Sequence, residues 1–455
     1  MAIVNDQLKL SDIIAKNRFD SEYFQPDYVK NEKNIRNSSD KVKRLSHIAY
    51  ITDGDHSVRK YVNSGIPFLT SENFSEFIID YDTERYITPQ YEKTLARSRA
   101  EKGAIFITKT GKYYGKAAIC LDDNPIFNIP ADVGKIRITS KEISPFFVVA
   151  FLNSKYGITS IRRENSGGTR DRITLVNLGK IEIPLFEDSE IENSVRAYIE
   201  KRIKAKNIFK QAQALLEKEL HLENVVTEQH VYSVSSFRDI IESHRLDAQH
   251  YQKKFKNLID HLSKFHCERI SDIRIYNRRG IQPCYVENGT VDVVNSQHIS
   301  DMHLMYDELQ KTSEKEFIKN PDGHVKENDL LIYATGAHVG QTNIYLRSTP
   351  ALASNHVNLL RIQPIIDPAY ICIIFQSIIG RFQTEMHARG SAQAELYPFD
   401  IDKFIVPILP DHIQQEIGGL VRESYIVDKE SALLLENIKA HIEGLIEGVK
   451  NNEAI

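Results

Sequence analysis

The sequence contains no tryptophan and only four cysteines in 455 residues. Cys120, Cys267, Cys284 and Cys372 lie far apart and form no Cys-x-x-Cys pair, which argues against a zinc module or a disulfide framework. No apolar run approaches the ~20 residues of a membrane span. The opening MAIVNDQLKLSD lacks the basic and apolar regions of a signal peptide, so the cytoplasm is the expected compartment. Nor does one sign of charge dominate: 58 Lys and Arg face 62 Asp and Glu, a net charge of −4. A balanced total still permits a local basic face whose countercharge sits elsewhere. What is present, 41% hydrophobic and 26% charged residues, is the composition of a globular protein. The length predicts about two to four domains.

The strongest internal signal is a duplication. LSDIIAKNRFDSEYF (10–24) matches FRDIIESHRLDAQHY (237–251) at Asp12/Asp239, Ile13/Ile240, Ile14/Ile241, Arg18/Arg245 and Asp20/Asp247, a step of 227 residues. GAIFITKTGKYYG (103–115) matches NDLLIYATGAHVG (328–340) at a step of 225, and IEIPL (181–185) matches IVPIL (405–409) at 223. Ordered matches with a slowly drifting step mean two diverged copies of one unit, related as a pseudo-twofold pair.

Each copy has the same order. An amphipathic segment (8–36, then 237–264) precedes short β-branched and aromatic runs punctuated by Gly, Pro and Asn, which is strand-and-turn grammar. RLSHIAYI, AIFITKT, KIRIT, DLLIYAT and HVNLLRI are the expected strands. FFVVAFLNS (146–154) and AYICIIFQS (369–377) read as buried helices packed on the sheet. A long helix follows each copy: Ile191, Val195, Tyr198, Ile199, Ala205, Ile208, Ala212, Leu215 and Leu216 recur at helical spacing, as do Ile413, Ile417, Leu420, Val421, Leu434, Ile438, Ile442, Leu445 and Val449. At 1.5 Å per residue each helix runs on the order of 50 Å. Its narrow stripe is expected to pair with the other copy's helix as an antiparallel coiled coil, the alternative being packing on its own domain. The expected fold class is α+β, with tandem mixed domains at 1–186 and 226–410 and long helices at 187–225 and 411–455.

Known catalytic patterns are incomplete. Thr108-Lys109-Thr110-Gly111-Lys112 falls short of a phosphate loop, because Phe106 and Tyr113 stand where Gly and Ser/Thr are needed. Asn124-Pro125-Ile126-Phe127 lacks the second proline of an amino-methyltransferase loop. Thr52-Asp53-Gly54-Asp55-His56 offers metal-ligand chemistry but equally plain turn chemistry, which is the favoured reading. His298 and His303 lack HExxH spacing. No nucleophile–base constellation stands out, so a binding protein is expected, with no catalytic residue, metal or cofactor.

These features together resemble the specificity (S) subunits of type I restriction–modification systems. Ile51-Thr52-Asp53-Gly54-Asp55-His56 followed by Gly65-Ile66-Pro67-Phe68-Leu69 is similar to the opening "DG-x-H … GIPFL" of a target-recognition domain. Lys109-Thr110-Gly111 to Gly115, and Ala334-Thr335-Gly336 to Gly340, resemble its "xTG…G" strand-loop. Ile405-Val406-Pro407-Ile408-Leu409-Pro410 followed by Gln414-Gln415-Glu416-Ile417 is similar to its "IPLPP…EQ-x-I" helix entry. The first copy departs at Pro184-Leu185-Phe186-Glu187, which no Glu-Gln follows. The second opens with Arg278-Arg279-Gly280-Ile281-Gln282-Pro283 and lacks the DG-x-H. The resemblance implies that each mixed domain reads one half of a bipartite site on double-stranded DNA, while the long helices set the spacing. It also implies docking of adenine-methyltransferase (M) and motor-nuclease (R) subunits, which carry the chemistry.

Lys and Arg supply phosphate contacts, and Arg, Lys, Asn, Gln and small polar groups read base edges. In the first copy the candidates are Lys109, Thr110, Lys112, Tyr113, Tyr114 and Lys116, then Arg162, Arg163, Ser166, Thr169, Arg170 and Arg172, with Arg59 and Lys60 weaker. In the second they are Arg278, Arg279, Gln282, His338, Gln341, Asn343, Arg389, Ser391 and Gln393. The recurring Arg18/Asp20 and Arg245/Asp247 read better as an intramolecular salt bridge or a domain–helix contact than as DNA contacts. Two alternatives stay open: a specificity subunit serving a fused methyltransferase-nuclease, and a two-domain protein scaffold without DNA.

Overall fold

The computed structural model describes residues 14, 16, 18–57, 60–165, 171–228, 232–390 and 393–448. The chain divides into two compact units, residues 1–201 with 430–455, and residues 202–429. Among the described residues no helix is long and apolar enough to cross a membrane.

The first unit is built on a four-stranded antiparallel sheet, Ala49–Asp53, Val133–Ile138, Ile105–Thr108 and Ala117–Ile119 in spatial order. Strand Ile105–Thr108 is buried at every position because the sheet is covered on both sides. Successive side chains point to opposite faces: Ile105 and Ile107 join one core with the helices, while Phe106 joins a second with Phe74, Phe127 and Val133. The covering helix Pro145–Asn153 forms despite β-branched residues, because tertiary burial outweighs their modest helix cost. Pro145 occupies its first turn, and the Ser144 hydroxyl accepts from Phe146 N at 3.2 Å.

The second unit repeats this plan: Arg274–Arg279, Val357–Ile362, Leu330–Tyr333 and Thr342–Ile344, again all antiparallel. Leu330 and Ile332 face the helices and Leu331 faces the other core. The buried helix Pro368–Gln376 has Pro in its first turn, and its Asp367 cap accepts from Ala369 N at 2.8 Å. Smaller features recur as well. Val42–Arg44 pairs with Glu182–Pro184, and Cys267–Arg269 pairs with Ile405–Pro407. The copies differ where Ile66–Pro67 and Tyr86–Ile87 make a two-stranded sheet. The corresponding Val291–Val294 and Gln310–Thr312 belong to a four-stranded one.

The long helices are Ile191–Glu219 and Asp411–Glu447. Each unit holds a stretch of both, and within each unit the two stretches run antiparallel. In the first, Asp188 contacts His441 and Lys201 pairs with Glu430. In the second, Arg202 pairs with Asp428, and Ser424 Oγ donates to Ala205 O at 2.8 Å. The apolar stripes serve both expected roles at once. Ile191, Val195, Tyr198 and Ile199 share the first unit's core with Ile438, Ile442 and Ile446. Ala212, Leu216, Ile417 and Val421 are part of the second's. Val449 of the second stripe lies outside the described residues, as do Asp12 and Ile13.

Candidate nucleic-acid interface

Backbone register makes the two copies comparable residue by residue. Asp53 lies opposite Gly134, which lies opposite Ile107; Arg279 lies opposite Asn358, which lies opposite Ile332. Asp53 and Arg279 are therefore counterparts, one position out of step with their strands' starts. The irregularity between Arg274 and Tyr276 adds one residue to the second strand. Past these strand ends, Asp55 N donates to Ile129 O at 2.9 Å and Ile281 N to Ala353 O at 3.0 Å.

The central strands lead into equivalent loops. Gly115 N returns to Thr108 O, and Gly340 N to Tyr333 O, each at 2.8 Å. Both glycines have positive φ, +83° and +87°, where a side chain is strained. A third segment joins each loop at its base. Ile173 N donates to Lys109 O at 3.0 Å and Gly111 N to Asp171 O at 3.3 Å; Leu396 N donates to Ala334 O and Gly336 N to Ala394 O, both at 2.9 Å. Thr110 thus bridges to Arg172, and Thr335 to Glu395.

In the first unit Lys112 projects from the loop, exposed, with its ammonium 5.7 Å from the Tyr113 ring. Thr110, Tyr113 and Lys116 are half-buried, and Lys116 Nζ lies 3.8 Å from Glu76. Tyr114 donates to Ile161 O at 2.9 Å, and burial raises its phenol pKa. Arg162 is exposed at the end of helix Lys155–Arg163, and Arg172 is exposed beyond it. Asn165 staples the connection, donating to Asp171 at 2.7 Å and accepting from Arg172 N at 3.0 Å. Lys60 is exposed. Ser166, Thr169, Arg170, Ser391 and Arg59 lie outside the described residues.

In the second unit Arg278 is exposed and paired with Asp322 at 2.9 Å, while Gln282, His338 and Gln393 are exposed. Gln341 donates to Asp301 at 2.8 Å. Arg389 makes a two-pronged pair with the fully buried Asp400, both contacts at 3.0 Å.

Three candidates point inward, and their side chains do not reach the surface. Lys109, 6% exposed, is spent on Asp53 at 2.7 Å. Arg163 pairs with Glu32, donates to Tyr23 O at 3.0 Å and lies over the Tyr23 ring. Asn343, 1% exposed, donates to Ser300 O at 2.8 Å. Arg18 and Asp20 do form the expected salt bridge at 2.6 Å, as do Arg245 and Asp247.

Asp53 gathers more than Lys109. His56 Nε2 lies at 3.0 Å and Arg97 Nη2 at 3.4 Å, both side chains exposed. Burial pushes the Asp53 pKa up, but the hydrogen bonds from Lys109 and His56 outweigh it and hold the carboxyl below its ordinary value. Asp55 accepts from Ser57 N at 3.0 Å, which is turn chemistry, and from the more distant Tyr91 hydroxyl at 2.8 Å. Sequence reasoning missed Arg97, which sits in an unremarkable charged stretch, and Glu395, whose only signal is its place opposite Arg172 in the repeat.

No protein-family model matches the sequence, and no curated protein matches it. Among solved structures the chain is similar to the S subunit of a type I restriction-modification system from M. genitalium. That match has 12% identity and a TM-score of 0.45 over 91% of this chain and 96% of that one. The HsdS subunit from Thermoanaerobacter tengcongensis matches at 12% identity and a TM-score of 0.30, over 90% and 97%. The type IIG restriction endonuclease BpuSI matches at 10% identity and a TM-score of 0.32, over 42% of this chain and 30% of its own.

Proposed function

We propose that this chain is the DNA-specificity subunit of a type I restriction–modification complex, each copy reading one half of a bipartite site. One observation supports the reading above the rest: two units of identical sheet order present polar loops at the same topological point with different side chains. The first loop set offers Lys112, Arg162 and Arg172, the second Arg278, Gln282, His338 and Gln393. Such a chassis suits two readers of different sequence. Lys and Arg anchor phosphates, and glycine turns let the backbone approach the duplex. The paired long helices would set the spacing and dock the adenine-methyltransferase subunits, with motor-nuclease subunits joining for cleavage, all in the cytoplasm. Methylation and cutting fall to those partners.

The test is a map of methylated adenines in cells carrying this chain with its methyltransferase, before and after replacing residues 37–185 with those of a related chain. One half of a split motif changes while the other half and the spacing stay. Change in both halves, or in neither, removes the two-reader arrangement.

A further inference from the structure

Three segments meet at the base of each loop: the end of the first strand, the turn into the loop, and the returning segment. In the first copy the side chains at that junction are Asp53, Lys109 and Arg172. By backbone register their counterparts are Arg279, Ala334 and Glu395. The charge on the first strand has changed sign, and its countercharge has moved to another segment. Arg279 lies 3.6 Å from Glu395, donates to Ala334 O at 3.4 Å and to Leu396 O at 3.3 Å, and stacks over Tyr397.

Stability alone is a poor reason for such pairs. Taking a Lys–Asp pair out of water costs about what its attraction returns, and apolar replacements of such pairs are often neutral or stabilising. Ala334 in the place of Lys109 shows that the fold tolerates an apolar residue there. What an ion pair adds is direction, and each pair sits where three candidate reading segments converge.

Resting on the reading above, we infer that Asp53–Lys109 and Arg279–Glu395 are positioning pairs of opposite polarity, each fixing the reading loops of its own half-site. Neither pair need touch DNA. Each holds the loop base and returning segment in one geometry, so that exposed groups such as Lys112 or His338 meet the groove in register.

The test selects bound duplexes from a random-sequence DNA pool with the full-length chain, and follows amide exchange without DNA. Lys109→Met and Asp53→Asn weaken discrimination in one half-motif about tenfold, and Glu395→Gln does so in the other, with non-specific affinity unchanged. The double variant Asp53→Asn/Lys109→Met is no worse than either single one, since it leaves no buried charge unpaired. Without DNA, the amides of Gly111 and Ile173 exchange faster in the first pair of variants, and those of Gly336 and Leu396 in the third. Unchanged motifs with faster exchange make the pairs mere scaffold and overturn the inference; unchanged exchange overturns it too. If the unaltered chain selects no motif, the DNA reading fails, and the exchange results alone judge whether the pairs lock the loops. If Lys109→Met does not fold, the near-isosteric Asp53→Asn carries the same comparison.

Discussion

Mild acid should loosen the unit of residues 202–429 well before the other. His303 is 5% exposed, its ring 5.4 Å from Phe209 and 5.7 Å from Tyr425. Ser424 spends its hydroxyl proton on Ala205 O, so His303 donates from Nε2 to Ser424 Oγ at 2.9 Å, and a second proton would charge a dry site. Burial, reinforced by Arg202, pulls the His303 pKa down to about 3; burial and the neighbouring His250 pull that of His387 down to about 4. A histidine depressed when folded binds its proton first in the unfolded chain, near pH 6.5. Stability therefore falls as pH drops below that value, until the folded pKa is reached. From pH 6.5 to 5 each histidine costs about 2 kcal/mol, and the two together about 4, at 1.36 kcal/mol per unit. That is a large share of a domain's ~5–15 kcal/mol. The first unit's perturbed carboxyls, Glu32, Asp53 and Asp188 among them, lie below their ordinary values, so their contribution fails only as pH falls through about 4.5 and lower. Hydrogen exchange at pH 7 and 5, corrected for intrinsic rates, separates the units: strands Leu330–Tyr333 and Val357–Ile362 lose protection while Ile105–Thr108 and Val133–Ile138 keep it. His303→Phe keeps a ring in the aromatic slot and removes one titration, reducing the loss between pH 6.5 and 5 by about 2 kcal/mol. Parallel loss in both units, or an undiminished slope in the variant, refutes the reasoning.

Adjacent arginines should behave oppositely. Arg162→Ala lowers DNA affinity and reduces the log–log salt slope by about 1, whereas Arg163→Ala removes the buried bonds to Glu32 and Tyr23 O, leaves Glu32 its pairs with Lys16 and Arg36, and costs about 1.5–3 kcal/mol in a denaturant titration. Gly54→Ala and Gly280→Ala place a Cβ 2.0 Å from Ile129 O and 2.2 Å from Ala353 O; each destabilises its own unit by about 1–3 kcal/mol or more, read as a lower melting temperature. Ile442→Ala, from a fully buried position among Val195 and Tyr198, costs about 2–5 kcal/mol, with exchange protection lost in the first unit only.

Much of this fold was legible because the duplication leaves matched landmarks, and the structure locates the drift between them. The step falls from 227 to 225 between the starts of the N-terminal helices (Pro26–Ser38, 13 residues; Lys253–Leu262, 10 residues) and the strands at Val42 and Cys267, because the second copy's helix is shorter. The buried helices and long amphipathic helices were legible from composition and period. Side-chain direction was harder. Lys109 follows a strand buried at every position, so its stem enters the core before its loop begins. Arg163 stands seven residues after buried Tyr156, on the same helix face, a period that would have turned it inward. Its partner Glu32 lies 131 residues away, a pairing no local pattern carries. Asn343 sits between Thr342 and Ile344 in a sheet covered on both faces, so alternation offered it no exit to solvent.

What the copies share and what they vary have different physical bases. The shared part is backbone: the bonds from Ile173 to Lys109 and from Leu396 to Ala334 use main-chain atoms alone, as do those from Gly111 to Asp171 and from Gly336 to Ala394. Main-chain bonding is indifferent to side-chain identity, provided glycine remains where φ is positive. The junction above it can then exchange Asp for Arg, Lys for Ala and Arg for Glu without losing register. Side chains of the loops are held to no such common pattern: Lys112 faces water in one copy where Ala337 stands in the other. On the proposed DNA-reading function, two readers that diverge without unfolding need this division, a main-chain frame that ignores sequence carrying side chains free to vary.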